Sequence, residues 1–359
     1  MHTGKRRDLV SGGRPDPAVA PNITTLKKRC HPSWGLFCEG NVVNAMLTRR
    51  LLQLLPMLFF ISLVAFLLVK LAPGDPVQAY ITPRMAPEDI ERIRHSLGLD
   101  KPLVTQYFLW LKNLFQGDLG YSLIYHRPVL EMIVERMPAT LGLMGASLLL
   151  AIVLAVPLGL LAGAFKHRWL DHFLNLFAYI GISVPIFWFG ILLITVFAVQ
   201  LNWLPSMGMR TIGVEDNWLD VVRHGVLPCI ALTFYNLSTY VRYVRSNTIS
   251  QLSADYVQTQ LAYGATYRTI LFRHVMKNVL LPVITLFGLS FGEMVVGAYV
   301  TESVFSWPGM GLLGIQAISS LDYPLIMAII LLSSLMLIVG NLLADLLYRF
   351  ADPRIRTQR

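Results

Sequence analysis

The chain has 359 residues, of which 55% are hydrophobic and only 14% are charged, and its mean hydropathy is +0.56. Soluble globular domains carry about 25% charged residues, so this composition excludes a water-soluble globular protein and also a disordered one. It predicts a membrane protein. Lys and Arg exceed Asp and Glu by 30 to 21, for a formal net charge of +9. In a membrane protein such an excess marks the cytoplasmic side, so no nucleic-acid partner is expected.

Residues 1–45 differ in composition from everything that follows. They are rich in Gly, Pro, Lys and Arg and show no helical periodicity, which predicts a disordered cytoplasmic N-terminal extension. Met46 is followed by Arg49 and Arg50 and then by an apolar run, which is typical of the start of a bacterial inner-membrane protein. We therefore interpret residues 1–45 as an over-called translation start or a dispensable extension, ahead of a transmembrane domain over 46–359.

Six apolar runs in that domain are long enough to cross about 30 Å of hydrocarbon. They lie at about 51–72, 139–165, 174–201, 226–244, 280–302 and 324–348. Each must be helical, because lipid offers no hydrogen-bond partner to a free backbone group. The sequence thus predicts an all-α integral membrane protein with six transmembrane helices. The fourth run is semi-polar, which suits either a pore-facing helix or ordinary hydrogen bonding between helices.

The distribution of cations predicts the orientation of these helices. With the N-terminus inside, twenty of the 30 Lys and Arg fall in inner segments. Eight of the ten outer ones lie in the long loop 73–138 and its borders, where eight Asp and Glu balance them. Because basic residues are retained on the cytoplasmic side, both termini are predicted to be inside.

The outer loop 73–138 is too long to be a simple connection. Pro87 begins a predicted helix that Gly98 ends, and a second amphipathic helix is predicted over 103–115. The apolar face of the second helix either packs against the spans at the membrane rim or docks a partner outside the cytoplasm. Packing against the spans is the simpler interpretation.

The inner segment, residues 245–279, separates the fourth and fifth spans. A helix is predicted to begin near Ser253 and to end at Gly264, because Gly accepts the left-handed conformation that closes a helix. A second helix is predicted from Thr266. Two short helices joined at a glycine between membrane helices would form a protruding knob (residues 255–264).

The residues of this segment resemble the cytoplasmic EAA loop of binding-protein-dependent ABC transporter permeases. They are Asp255-Tyr256-Val257, Thr259, Ala262 and Gly264, then Arg273-His274, Asn278 and Leu281-Pro282. More specifically, the chain is similar from Met46 onward to the first permease subunit of dipeptide, oligopeptide, glutathione and nickel importers. Motifs that carry this similarity are Pro73-Gly74-Asp75-Pro76, Gly117-Asp118-Leu119-Gly120-Tyr121-Ser122, Pro138-Ala139-Thr140, Ser183-Val184-Pro185, Thr301-Glu302-Ser303, Trp307-Pro308-Gly309-Met310-Gly311, Asp322-Tyr323-Pro324 and Asp352-Pro353-Arg354.

The resemblance implies the fold of a type I ABC importer permease and a translocation pathway for short peptides in the bacterial inner membrane. It implies four kinds of partner: a second homologous permease subunit, two cytoplasmic ATPase subunits, an extracytoplasmic substrate-binding protein and membrane lipid. ATP and Mg would bind the ATPase subunits, and this chain would bind no cofactor and catalyse no reaction. Uptake of nickel or glutathione is the alternative, and a stand-alone secondary transporter is a further one.

The knob is the coupling site that the resemblance implies for the ATPase. Its residues are Asp255, Tyr256, Val257, Gln258, Thr259, Gln260, Leu261, Ala262, Tyr263 and Gly264. Gln258, Leu261 and Tyr263 stand where the family pattern has cations, which puts in doubt the strength of docking or the choice of partner.

The sequence lacks the common motifs for binding a nucleotide phosphate or a metal ion. The sequence has no Gly-x-x-x-x-Gly-Lys-Ser/Thr, no His-Glu-x-x-His and no Cys-x-x-Cys, so neither a phosphate cradle nor a metal site is expected. Glu293 is the deepest ionisable residue of the spans and is the candidate pathway residue. It either holds a substrate amine or neutralises a cation on a neighbouring helix. The pairs Gly159/Gly163 and Gly288/Gly292 are predicted to allow close helix packing.

Overall fold

The computed structural model describes residues 55–71, 86–96, 98–213, 217–296 and 298–351. The chain divides into two compact units, Met1–Pro56 and Met57–Arg359. Of the first unit only Leu55 and Pro56 are described, so the predicted extension 1–45 lies outside the described residues. The same holds for the motifs at 73–76 and 352–354.

The described residues are helical apart from turns and one isolated bridge between Tyr121 and Pro128, which confirms the all-α class. The helices before the inner segment are α1 (Leu55–Leu71), α2 (Pro87–Ser96), α3 (Leu103–Phe115), α4 (Val129–Ala164), α5 (Trp169–Ser183), α6 (Ile186–Leu193, continued as a π-helix over Ile194–Gln200) and α7 (Trp218–Leu252). The later ones are α8 (Asp255–Ala262), α9 (Tyr267–Thr269, continued as a π-helix over Ile270–Val275), α10 (Met276–Val296), α11 (Tyr299–Val304), α12 (Met310–Ser319) and α13 (Tyr323–Ala351).

Within the described residues, three helical stretches are long and apolar enough to cross a membrane: Val129–Ala164, Tyr267–Ser290 and Tyr323–Leu347. The bent pair α5–α6 makes a fourth if it is one span. The 17-residue α1 and the semi-polar, 35-residue α7 cover the remaining predicted spans. The count of six and the orientation therefore stay predictions.

The third predicted span, 174–201, needs a correction, because it is two helices that meet at an angle of 100°. Pro185 is the cause. A residue before proline is pushed out of the helical region, and Val184 is extended with φ −80° and ψ 122°. Pro185 also has no N–H to continue the ladder of α5, and it serves instead as the N-cap of α6.

The bent pair nevertheless runs from one end of the bundle to the other. Helices α4 and α7 are parallel, since Gly159 of α4 meets Val244 while Gly163 meets Thr248 four residues further along α7. The chain between two parallel neighbours must return along the bundle. Accordingly, Asp171 in α5 bonds Arg245 near the C-terminal end of α7, and Gly190 in α6 packs on Phe305.

Close approach of helices at small residues confirms the role predicted for three of the four glycines. A Cβ on Gly159 or Gly163 would stand 2.6 Å from Cβ of Val244 or Thr248. At Gly288 the neighbours are Ala344, at 2.6 Å, and the carbonyl of Gly340, at 3.0 Å. The surroundings of Gly292 lie outside the described residues. These glycines hold α4 against α7 and α10 against α13 at backbone distance.

Candidate functional site

The knob is a helix closed by a left-handed glycine, as predicted. Helix α8 occupies Asp255–Ala262, and Gly264 follows with φ +79°. The amide of Gly264 donates to the carbonyl of Leu261 at 2.9 Å, and the amide of Ala265 donates to Gln260 at 3.0 Å. The Thr266 hydroxyl then accepts from the Thr269 amide at 3.3 Å and caps the next helix.

Val257 is the apolar anchor of the knob. It is 2% exposed and belongs to the same cluster of buried side chains as Leu160, Ile270 and Val275. Burying a valine side chain contributes about 2 kcal/mol, so one residue supplies a large part of the hold on a helix of two turns. Tyr256 adds a hydrogen bond from its hydroxyl to Gln251 Oε1 at 3.1 Å, and Asn278 donates to the same oxygen at 3.0 Å.

The rest of the knob faces outward. Tyr263 is 84% exposed and Leu261 is 44% exposed, and Ala262 beside them is also exposed. Asp255, Gln258, Thr259 and Gly264 are exposed as well, whereas Tyr256 and Gln260 are half-buried. The knob therefore offers a small exposed apolar surface, Leu261, Ala262 and Tyr263, with polar residues beside it.

An ion pair with a fully buried carboxylate joins α5 and α7. Asp171 is 1% exposed and accepts from Nε and Nη2 of Arg245, the latter at 2.8 Å. It also accepts from Asn175 Nδ2 at 2.8 Å and from the amide of His167 at 3.0 Å. Sequence reasoning missed this pair. The available signal was that Asp171 is the one acid among the basic residues of 166–173.

At the N-terminal end of α4, two family motifs come together in what we call the Glu302 site. Glu302 is fully buried and accepts from the Thr140 hydroxyl at 2.6 Å and from the Leu312 amide at 3.0 Å. Thr140 in turn accepts from the Met310 amide at 2.7 Å. A Cβ at Gly309 would overlap both Glu302 and Thr140, which explains a glycine at that position.

Trp307 completes this arrangement. It is 4% exposed, and its indole Nε1 donates to the carbonyl of Ala139 at 3.0 Å. Pro138-Ala139-Thr140 and Thr301–Gly311 thus form one hydrogen-bonded unit, although about 160 residues separate them in the chain. The sequence indicated both motifs but not their contact.

A second buried carboxylate, in what we call the Asp322 site, joins the motif at 117–122 to the motif at 322–324. Asp322 is fully buried and accepts from the Ser122 hydroxyl, and from the Leu123 amide at 3.2 Å. Gly120, with φ +85°, lies against Pro324. The motif at 117–122 is therefore held on the first turn of α13.

A shallow cavity of about 240 Å³ lies where the π-helix after α6 meets the start of α7. Its polar lining includes Thr211, Asp220, Arg223 and His224. The amide and hydroxyl of Thr211 donate to Asp220, at 2.6 and 2.9 Å, and these bonds lower the pKa of that carboxyl. Arg223 donates to the carbonyl of Trp203, outside the lining, at 3.0 Å, so Thr211, Asp220 and Arg223 each already have a hydrogen-bond partner within the protein.

Glu293, the candidate pathway residue, lies in the last third of α10, and its side chain is outside the described residues. Across the described part of the chain there is no group of three or more His, Cys, Asp or Glu placed to hold a metal ion.

Comparison with known proteins bears on the whole domain. The family described as binding-protein-dependent transport system inner membrane component matches residues 155–357, and its N-terminal counterpart matches residues 43–144. The oligopeptide transport system permease protein AppB of Bacillus subtilis (strain 168) is 39% identical over 312 residues, which is 87% of this chain and 99% of that protein. A putative peptide permease protein of Brucella suis biovar 1 is 41% identical over 86% of this chain and 97% of its own length. The glutathione transport system permease protein GsiC of Escherichia coli (strain K12) is 38% identical with the same coverage.

Proposed function

This chain belongs to the binding-protein-dependent transport system inner membrane components, and we propose that it forms the membrane pathway of an ATP-driven importer of short peptides. The observation that carries the substrate class is the 39–41% identity, over at least 97% of their length, to two permeases named for peptides. Glutathione is itself a modified tripeptide, so the 38% identity to a glutathione permease favours it as the second candidate.

We assign the knob to docking of the cytoplasmic ATPase. Three features support this assignment: Leu261 and Tyr263 are exposed, Val257 anchors the helix, and the knob is followed directly by the helix that becomes α10. A push on α8 is transmitted to α7 through the bond from Tyr256 to Gln251 Oε1, and from there to α10, because Asn278 of α10 donates to the same oxygen. Rigid-body motion of packed helices then alternates access to the pathway.

The chain is proposed to cross the membrane six times with both termini inside, and to work with a second permease subunit, two ATPase subunits and an extracytoplasmic binding protein. The six proposed spans are α1, α4, α5–α6, α7, the helix that ends in α10, and α13, and the length and apolarity of Val129–Ala164, Tyr267–Ser290 and Tyr323–Leu347 support three of them. Glu293 on α10 is the proposed contact for a substrate amine. Replacement by Gln is expected to raise the KM for peptide uptake, whereas unchanged kinetics would assign Glu293 to helix packing.

The test is uptake of a labelled peptide by a bacterial strain that lacks its own peptide importers. The strain receives this chain with candidate second permease, ATPase and binding-protein subunits from the same organism, and a matched strain carries an ATPase subunit with its phosphate-binding Lys replaced by Ala. Peptide uptake in the first strain only is the expected result. Uptake of glutathione or nickel without peptide would refute the peptide assignment. The proposal of an ATP-driven importer would be refuted by uptake that persists in the second strain, or by failure of the solubilised chain to co-purify with an ATPase.

A further inference from the structure

Helix α3 is the part of the predicted outer loop that packs on a membrane helix. Tyr107, the buried residue of α3, meets Ser62 of α1 with its hydroxyl at 2.8 Å. Its ring lies edge-on to Phe59 and Phe66, with centroids 5.9 and 5.4 Å away. Trp110 and Leu111 join the same cluster, which also includes Met327 near the start of α13. The side of α3 with Tyr107, Trp110 and Leu111 therefore packs against α1 and α13, as the simpler interpretation of 103–115 predicts, whereas Phe108 and Phe115 of the predicted apolar face stay exposed.

The depth of this contact is the unexpected feature. Ser62 is nine residues from Leu71 at one end of α1 and seven from Leu55 at the other, so it lies about 10 to 13 Å from either end at 1.5 Å per residue. Half of the hydrocarbon layer is about 15 Å thick. If α1 spans the membrane, as the proposed function requires, Tyr107 is inside the hydrocarbon whichever way α1 points.

The exposed side of α3 is apolar, as a position inside the hydrocarbon requires. Val104, Phe108 and Phe115 form one stripe, at the spacing of a heptad, and are 67%, 57% and 81% exposed. The polar residues of the helix, Thr105, Gln106, Lys112 and Asn113, lie to one side of this stripe. Near Ser62 the exposed side chains of α1 are also apolar, with Phe60 and Val64 66% and 37% exposed, and Leu68 further along α1 is 60% exposed.

We infer that α3 is embedded in the outer leaflet and that acyl chains of membrane lipid cover the stripe of Val104, Phe108 and Phe115. The polar side, with Lys112, is then directed to the headgroups, as in an amphipathic helix that lies in the interface. The segment 73–138 is by this inference partly a membrane element rather than an external loop. The inference rests on the proposed function in two respects, the membrane placement of α1 and, for the choice of leaflet, the orientation with both termini inside.

Nitroxide labels at single cysteines provide the test. In a full-length chain with Cys30, Cys38 and Cys229 replaced by Ser, cysteine is introduced at the stripe (V104C, F108C, F115C) and at the polar side as matched controls (T105C, N113C). L68C on α1 serves as the internal reference for lipid. The chain is reconstituted in vesicles of phosphatidylethanolamine and phosphatidylglycerol, and collision rates with oxygen and with a water-soluble nickel complex are measured.

The ratio of oxygen to nickel collisions is expected to be at least about fivefold higher at the stripe than at the controls, because a polar complex is excluded from hydrocarbon. A stripe as accessible to nickel as the controls, with L68C in lipid, overturns the inference and leaves the proposed function intact. If L68C itself reads as water-exposed, the membrane placement of α1 fails and the inference fails with it.

A photo-crosslinking residue at Phe108 and Phe115, in whole cells that carry all transport subunits, separates lipid from a protein partner. A photo-reactive phenylalanine derivative keeps the aromatic ring of Phe108 or Phe115, so we expect the chain to fold with it even if the cysteine variants do not fold. Adducts to lipid without a protein adduct are expected. A protein adduct at both positions would overturn the assignment of lipid as the occupant.

Discussion

The family motifs near the two ends of α4 differ in burial. At its N-terminal end, Glu302 and Asp322 are fully buried and each joins segments that are far apart in the chain. Beyond its C-terminal end, seven of the ten residues of the knob are exposed, and Val257 is the one that is buried. Motif residues at the first end are thus explained by satisfaction of buried polar groups, whereas those at the second are explained, under the proposed docking role, by what they present to a partner.

This difference predicts that substitutions at the Glu302 and Asp322 sites act through stability, whereas substitutions on the knob act on transport while leaving the fold intact. The expected effects below run from the largest to the smallest.

Gly264→Pro is expected to reduce peptide uptake to background. The amide of Gly264 donates to Leu261, and its φ of +79° is out of reach for proline, which is fixed near −65°. Gly264→Asn is the matched control, because Asn accepts the left-handed conformation, and it should retain most of the uptake. Membrane insertion is followed in both by immunoblot of washed membranes. Uptake by the proline variant would show that the shape of the knob is irrelevant to coupling.

Glu302→Ala is expected to destabilise the protein by about 3 kcal/mol, since the Thr140 hydroxyl and the Leu312 amide lose their buried acceptor. Glu302→Gln keeps one acceptor oxygen and should destabilise the protein less. The stability of both variants is compared by their apparent melting temperatures in detergent. Glu135→Ala, which removes an exposed partner of Arg127 at 3.2 Å, is the matched control and should be nearly silent. Equal melting temperatures for Glu302→Ala and Glu135→Ala would remove the buried network as the explanation.

Val257→Ala and Tyr263→Ala separate the anchor of the knob from its surface. The first is expected to cost about 2 kcal/mol because a fully packed side chain is truncated. The second should change stability by less than about 0.5 kcal/mol, since Tyr263 is 84% exposed, yet lower ATPase co-purification several-fold. Melting temperature and ATPase recovery are measured on the same preparations. Loss of stability without loss of ATPase in Tyr263→Ala would reverse the assignment.

Deletion of residues 2–45 is expected to leave uptake unchanged, because the compositional pattern assigns these residues no part in the bundle. The deletion chain and the full chain are compared at equal membrane abundance. A loss of uptake greater than about twofold at equal abundance would give the extension a function in transport.

Local elements were predictable from the sequence because their signals are local. Helix α3 begins and ends where its periodicity predicts, and Gly264 closes α8 as expected. The bend between α5 and α6 was missed although Val184-Pro185 carries its signal, because hydropathy alone reads 174–201 as one run. Asp171 and Arg245 are 74 residues apart, and no periodicity links them.

The sequence by itself determined the membrane class, the helices and the family motifs, since composition, spacing and turn residues act over a few neighbours. Only the tertiary structure decided which motifs meet, because a carboxylate cannot stay buried without donors and those donors come from wherever the fold brings them. It also decided which apolar residues are buried and which are exposed. Some fill contacts between helices, and others remain exposed, as on α3, where we infer that membrane lipid covers them.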